Sequence, residues 1–144
     1  MEVYGVDRVI IATLAIDETA DQFSEYLGIE FGDLLGATTQ TGSGEQPVAN
    51  RLSPSGVELV TPKTDEGQVA QFLEQNGPGL YALSIRVADL DAAEAHLNSK
   101  GIEPVGRYNS ADFRESFYHP RHFGGAFIIL AEYDAPHPAE TAST

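Results

Sequence analysis

The sequence predicts a single α+β domain built from one βαβββ module that occurs twice. Three observations carry this expectation. Residues 8–17, RVIIATLAID, and residues 82–91, ALSIRVADLD, are both strand-like apolar runs that give way to an acidic turn. A helical pattern follows each, and both patterns stop in the same way, at Leu27-Gly28-Ile29-Glu30 and Lys100-Gly101-Ile102-Glu103. A glycine there suits the left-handed residue that ends many helices. Finally, GVELV (56–60) and AFIIL (126–130) close the two halves in the same order.

Each element follows from its own pattern. The stretch DRVIIAT (7–13) sets Arg8 at the mouth of a strand, where the charge must be solvated, paired or aimed into a cavity. The first helix is marked by Ala20, Phe23 and Leu27 at helical spacing. The tract GATTQTGSGEQP (36–47) reads equally as a flexible loop or a weakly patterned strand. In TDEGQVAQFLEQNG (64–77) a linker helix is expected, with Thr64 as N-cap, Gly67 as an internal weakness, Val69, Phe72 and Leu73 as the apolar face and Gly77 as the stop. The second helix carries Ala92, Ala95 and Leu97. The expected layout is a domain over residues 1–134, with modules at 5–63 and 79–134 around the linker at 64–77. Residues 135–144, rich in proline and small polar residues, read as a disordered tail.

Composition bounds the partners. The 144 residues carry 22 acidic and 8 basic side chains, a net charge of −14, which repels phosphate backbones and argues against nucleic-acid binding. The acidity suits a cationic ligand, or is simply a solvated surface. No apolar run reaches the ~18–20 residues that span a bilayer, and no signal peptide is visible. The lack of cysteine removes disulfides, thiolate metal sites and a cysteine nucleophile, and fits a cytoplasmic location.

Strand alternation then suggests a site. If Leu83, Ile85 and Val87 face a helix, Ala82, Ser84 and Arg86 face a cleft between the modules. By the repeat, Arg8, Ile10 and Ala12 face it too. In the strand at 56–60, Val57 and Leu59 pack on helices and leave Glu58 and Val60 towards the cleft. Arg8 and Glu58 are thus expected to point into one space, barring a bulge.

The duplication, with GVELVTP (56–62), GPGLYALSIRV (77–87) and FYHPRHFGGAFIIL (117–130), resembles the vicinal oxygen chelate superfamily, and within it the methylmalonyl-CoA epimerases. The resemblance covers residues 6–132. It implies a divalent metal held by four side chains, whose positions fall on Arg8, Glu58, Ala82 and Ile129. A further catalytic glutamate position falls near Asn50. Alanine and isoleucine have no donor atoms, and a guanidinium repels a metal, so no metal and no cofactor is expected. Arg8 would then replace the metal's charge and pair with Glu58.

On this reading Glu58 moves a proton, Arg8 stabilises enolate-like charge and Tyr81 donates a proton, or else packs. Asn50 orients a substrate, and Arg86 is a second cleft cation or an exposed strand-end arginine. His119 and Arg121 belong to the HP-x-x-x-G turn, which shapes the cleft mouth near a CoA phosphate or is an ordinary surface turn. The expected activity is a metal-independent isomerase, epimerase or lyase acting on a small carbonyl or acyl-thioester compound. A drug-sequestering binding protein and a non-catalytic paralogue are the alternatives. The expected partners are a small-molecule ligand and a second copy of the chain, since homodimers are usual in the family.

Overall fold

The computed structural model describes residues 1–42 and 44–134; the expected tail, with His137, lies outside the described residues. The chain runs β1 (Val3–Ala12), α1 (Ile16–Leu27), β2 (Leu35–Thr41), β3 (Gly44–Leu52), β4 (Val57–Pro62), α2 (Gln68–Asn76), β5 (Gly79–Val87), α3 (Leu90–Ser99), β6 (Gly106–Asn109), β7 (Phe113–Tyr118), a short 3-10 turn (Pro120–His122) and β8 (Phe127–Tyr133). This is βαβββ twice, with α2 between the copies. No helix among the described residues is long and apolar enough to cross a membrane.

The eight strands close into one barrel in the order β1-β4-β3-β2-β6-β7-β8-β5. In each module the first strand runs parallel to the last, β1 beside β4 and β5 beside β8, while the remaining pairs are antiparallel. The two modules join along the antiparallel seam of β1 with β5. They join again, much more briefly, where Gln40 meets Arg107 and Thr41 meets Gly106. The expected cleft between two sheets is therefore the interior of a single closed sheet, which also removes free strand edges.

Period 2 divides the side chains between the outside and the inside of this barrel. On the outside, Val57 and Leu59 of β4 meet Ile16, Ala20 and Phe23 of α1. Ile128 and Leu130 of β8 meet Leu90 and Ala93 of α3. Inside, Ile10, Val48, Val60, Ala82, Phe117 and Ile129 form a third cluster that Val69 and Leu73 of α2 close over. The linker helix is thus a cover for the barrel interior as well as a connector.

One open reading is resolved and three local expectations need correction. The tract at 36–47 is β2 running into β3 as a long hairpin, because threonines suit a pleated surface even without apolar alternation. Leu27 is 66% exposed, so α1 buries only its first two turns. On α3 the buried residues are Leu90, Ala93 and partly Leu97, while Ala92 and Ala95 face out; the i, i+3, i+7 row starts at Leu90. Gly67, not Thr64, precedes the first turn of α2, with φ of 104°. Thr64 instead accepts from the Glu66 N–H in a turn upstream. The helix stops are as read: Gly28 is left-handed at φ 68°, and Gly77 caps α2.

Candidate functional site

The barrel interior holds a cavity of about 200 Å³ with Arg8, Glu58, Asn50 and Glu115 among its lining residues. Oxygen atoms surround the Arg8 guanidinium. Its Nε donates to Glu58 Oε1 at 2.6 Å, its Nη1 to Asp7 Oδ2 at 2.7 Å and to Ser84 Oγ at 3.1 Å, and its Nη2 to Glu115 Oε2. Three carboxylates from β1, β4 and β7 thus share one guanidinium. The Phe113 ring lies 5.3 Å from the guanidinium carbon. Charge-assisted bonds of this kind are what a buried guanidinium needs to offset its lost hydration.

The local sequence explains why these side chains converge. Arg8 lies opposite Ser84 across the β1–β5 seam, and Glu58 pairs with Ile10 on the other flank of β1. Adjacent residues of a regular strand point to opposite faces, yet Asp7 and Arg8 bond to each other. The register shift between Val6 and Arg8 accounts for this, since an extra residue there turns Asp7 towards the interior. Asp7 is held from its other side by the Tyr133 hydroxyl, which donates to Oδ1.

Burial opposes charge on Arg8, but Glu115 and Glu58 outweigh it and hold the guanidinium above its ordinary pKa. Burial pushes the Glu115 carboxyl above the usual carboxylate range; Arg8 pulls it down, while Glu58 and Asp7 push it further up. Burial likewise raises the Tyr81 phenol far above its ordinary value.

Asn50 Nδ2 lies 3.5 Å from Glu58 Oε2, and Asn50 Oδ1 is buried with no hydrogen-bond partner among the described residues. Tyr81 lines the cavity, stacked on Phe127 with centroids 5.2 Å apart and edge-on to Phe72 of α2 at 5.3 Å. Its ring therefore does face a helix, the linker helix. Ala82 and Ile129 are both buried in the interior cluster.

Three expected site residues lie elsewhere. Arg86 does not line the cavity: its guanidinium stacks 4.1 Å over Tyr133, and Nη2 donates to the Tyr133 carbonyl. Leu83, Ile85 and Val87 all pack on the α3 side, so the alternation along β5 holds and Arg86 is instead taken up by Tyr133 at the end of its row. His119 and Arg121 are exposed beside a separate surface hollow with Glu103 and Asn98. There His119 Nδ1 accepts from the Arg121 N–H, so its role in the fold is to cap the 3-10 turn.

Glu115 and Asp7 are the residues that sequence reading missed. Asp7 depends on the bulge and leaves no periodic mark. Glu115 does leave one. Phe113, Glu115 and Phe117 alternate along β7, and all three line the cavity. Pairing makes the point sharper: Asn50 lies opposite Val60 and Glu115 opposite Ala131. If Ile129 is the counterpart of Glu58, then Ala131 matches Val60 and Glu115 matches Asn50.

Two βαβββ modules closed around one interior cavity define a two-fold, small-cavity architecture, and comparison with known proteins gives it a family. The chain belongs to the glyoxalase/bleomycin resistance protein/dioxygenase superfamily, whose family model matches residues 7–118. Among solved structures it is similar to a methylmalonyl-CoA epimerase from Mycobacterium tuberculosis, with 28% identity over 98% of this chain and 93% of that one and a TM-score of 0.73. A single-residue variant of the Streptomyces coelicolor methylmalonyl-CoA epimerase, in complex with 2-nitronate-propionyl-CoA, shares the fold at 20% identity. That match covers 93% of this chain and 100% of the other, with a TM-score of 0.71. No curated protein matches the sequence.

The residues at the four expected metal positions do not fit a divalent ion. Ala82 and Ile129 offer no lone pairs, and Arg8 presents a fixed positive charge on the oxygens of Glu58 that a metal would need. Among the described residues no group of three His, Asp or Glu is arranged to hold a metal.

Proposed function

We propose that the protein is an isomerase-type enzyme that moves a proton next to the carbonyl of a small carbonyl or acyl-thioester compound, with Arg8 in place of the family's metal. One observation carries this reading: two buried carboxylates, Glu58 and Glu115, flank one guanidinium on the cavity floor. Paired carboxylates in unequal environments are suited to acid and base roles. Glu58 takes the α-proton as a carboxylate, and the C–H electron pair moves into a carbon–carbon double bond while the carbonyl electrons move to oxygen. The second N–H of Arg8 Nη2, beyond the one given to Glu115, is directed at that oxygen. Glu115, inclined by burial to keep a proton, returns one to carbon as the oxygen's electrons re-form the carbonyl; it is then re-protonated from solvent while Glu58 releases its proton to solvent. The similarity to methylmalonyl-CoA epimerases supports this class of chemistry. Tyr81 is assigned to packing, since its raised pKa makes it a poor acid.

Acyl-CoA thioesters incubated with the protein in deuterated water test the reading by mass shift at the α-carbon. Exchange is expected for a substrate whose acyl end fits the cavity, and Glu58→Gln and Glu115→Gln should each slow it by about 100-fold or more. Exchange that is undiminished in Glu58→Gln removes Glu58 as the base. Its absence in the unaltered protein across the panel removes the enzyme reading.

A second reading, a small-molecule binding protein without catalysis, has its own support. The aromatic wall that the sequence did not reveal is present, built from Tyr81, Phe127 and Phe117, and Phe113 also lines the cavity. Ligand-induced thermal stabilisation in the absence of any exchange is its signature.

A further inference from the structure

We propose that the cavity takes a compact aromatic amine, a flat ring on a short chain ending in a protonated nitrogen. The inference rests on the cavity being a small-molecule site, and it holds whether or not a proton is moved there.

The polar floor is rich in acceptors and poor in donors. Four of the five Arg8 N–H groups are engaged by Glu58, Asp7, Ser84 and Glu115. Among the described residues Asn50 Oδ1 is buried and unpartnered, and Glu58 Oε2 has only the long 3.5 Å approach of Asn50 Nδ2. A buried acceptor without a partner is costly, so a ligand that donates there gains what the empty site lacks. Charge points the same way. Three carboxylates against one guanidinium leave an excess of negative charge, and one negative charge remains even when Glu115 is protonated. An anionic ligand meets repulsion in this enclosed space, whereas an ammonium completes the pairing.

The apolar part of the ligand is set by the wall. Tyr81 and Phe127 are stacked within 25° of parallel, and Phe117 leans on Phe127 at 6.1 Å. These faces suit a planar ring, and ring faces also favour a nearby cation. At about 200 Å³ the cavity is below the usual range for drug-sized ligands, and exposed Glu66 and Ser110 are among its lining, so the part of the ligand buried there is one ring and a short chain.

Calorimetric titration of the full chain at neutral pH and low salt with phenethylamine, phenethyl alcohol and hydrocinnamate separates charge from shape. The amine is expected to bind tightest and the carboxylate weakest, with at least about tenfold between these two. Asn50→Leu is expected to weaken the amine about tenfold. If Asn50→Leu does not fold, Glu58→Gln carries the same expectation. Any other order among the three probes, no measurable heat with the amine, or amine binding unchanged in the folded variant overturns the proposal. Amine binding without proton exchange removes the catalytic reading and leaves this one; exchange without amine binding does the reverse.

Discussion

At the scale of single residues, Glu115 is the group whose ionisation the fold opposes most clearly. Burial is the largest influence on it, Glu58 and Asp7 add to that, and Arg8 offsets only part, so its folded-state pKa lies above the ordinary glutamate value. Between those two values the folded protein binds more protons than the unfolded chain. Its contribution to stability is therefore present below the ordinary range and is lost as pH rises through the raised pKa. Glu115→Gln has no such titration. The difference in unfolding free energy, Glu115→Gln minus unaltered protein, should rise with pH above ~4.3 by at most about 1.4 kcal/mol per unit and then level off. Urea unfolding at a series of pH values measures it; a flat or falling difference contradicts the assignment. Arg8 and Glu58 were legible in the sequence because regular alternation points both inward. Asp7 was not, because a bulge erases the period that such reading depends on. Arg86 misled for a different reason: alternation fixes the face of the strand, but not that Tyr133 takes up the guanidinium at the end of that row.

At the scale of elements, the helices and outer strands were the readable part. Apolar faces at helical spacing and glycine stops come from local chemistry, and α1 and α2 end at the glycines expected of them. Helix faces were read less well, since the spacing alone did not say which of two overlapping alanine rows α3 would bury. The least readable element is the short seam between β2 and β6, which rests on pairing between residues far apart in sequence. Gly106 is critical there. A Cβ at this position would lie 2.9 Å from the Gln40 carbonyl oxygen and 3.0 Å from Phe117 Cδ2. Backbone on one side and a buried ring on the other leave no room to yield. Gly106→Val should therefore destabilise the protein by about 1–3 kcal/mol and raise amide exchange along β2 and β6 before the β1–β5 seam. An unchanged unfolding midpoint would show that the barrel does not depend on this closure.

At the scale of the whole molecule, closure of the barrel converts two similar half-sheets into one enclosed space, and α2 covers it. The duplication was visible in the sequence, and the full closure was not, because the β2–β6 contact involves only two residue pairs. Enclosure also decides the chemistry of the floor. In a solvated cleft Arg8 would be one charge among many; inside the barrel it is the counter-ion on which Asp7, Glu58 and Glu115 all depend. The catalytic proposal and the charge argument for an amine both depend on this guanidinium taking the place of the family's divalent ion. Element analysis of protein purified without chelator, followed by manganese titration monitored by calorimetry, decides the matter. No stoichiometric divalent ion and no saturable manganese binding are expected. A stoichiometric ion that is retained by the unaltered protein and lost in Glu58→Gln would contradict the substitution of arginine for metal.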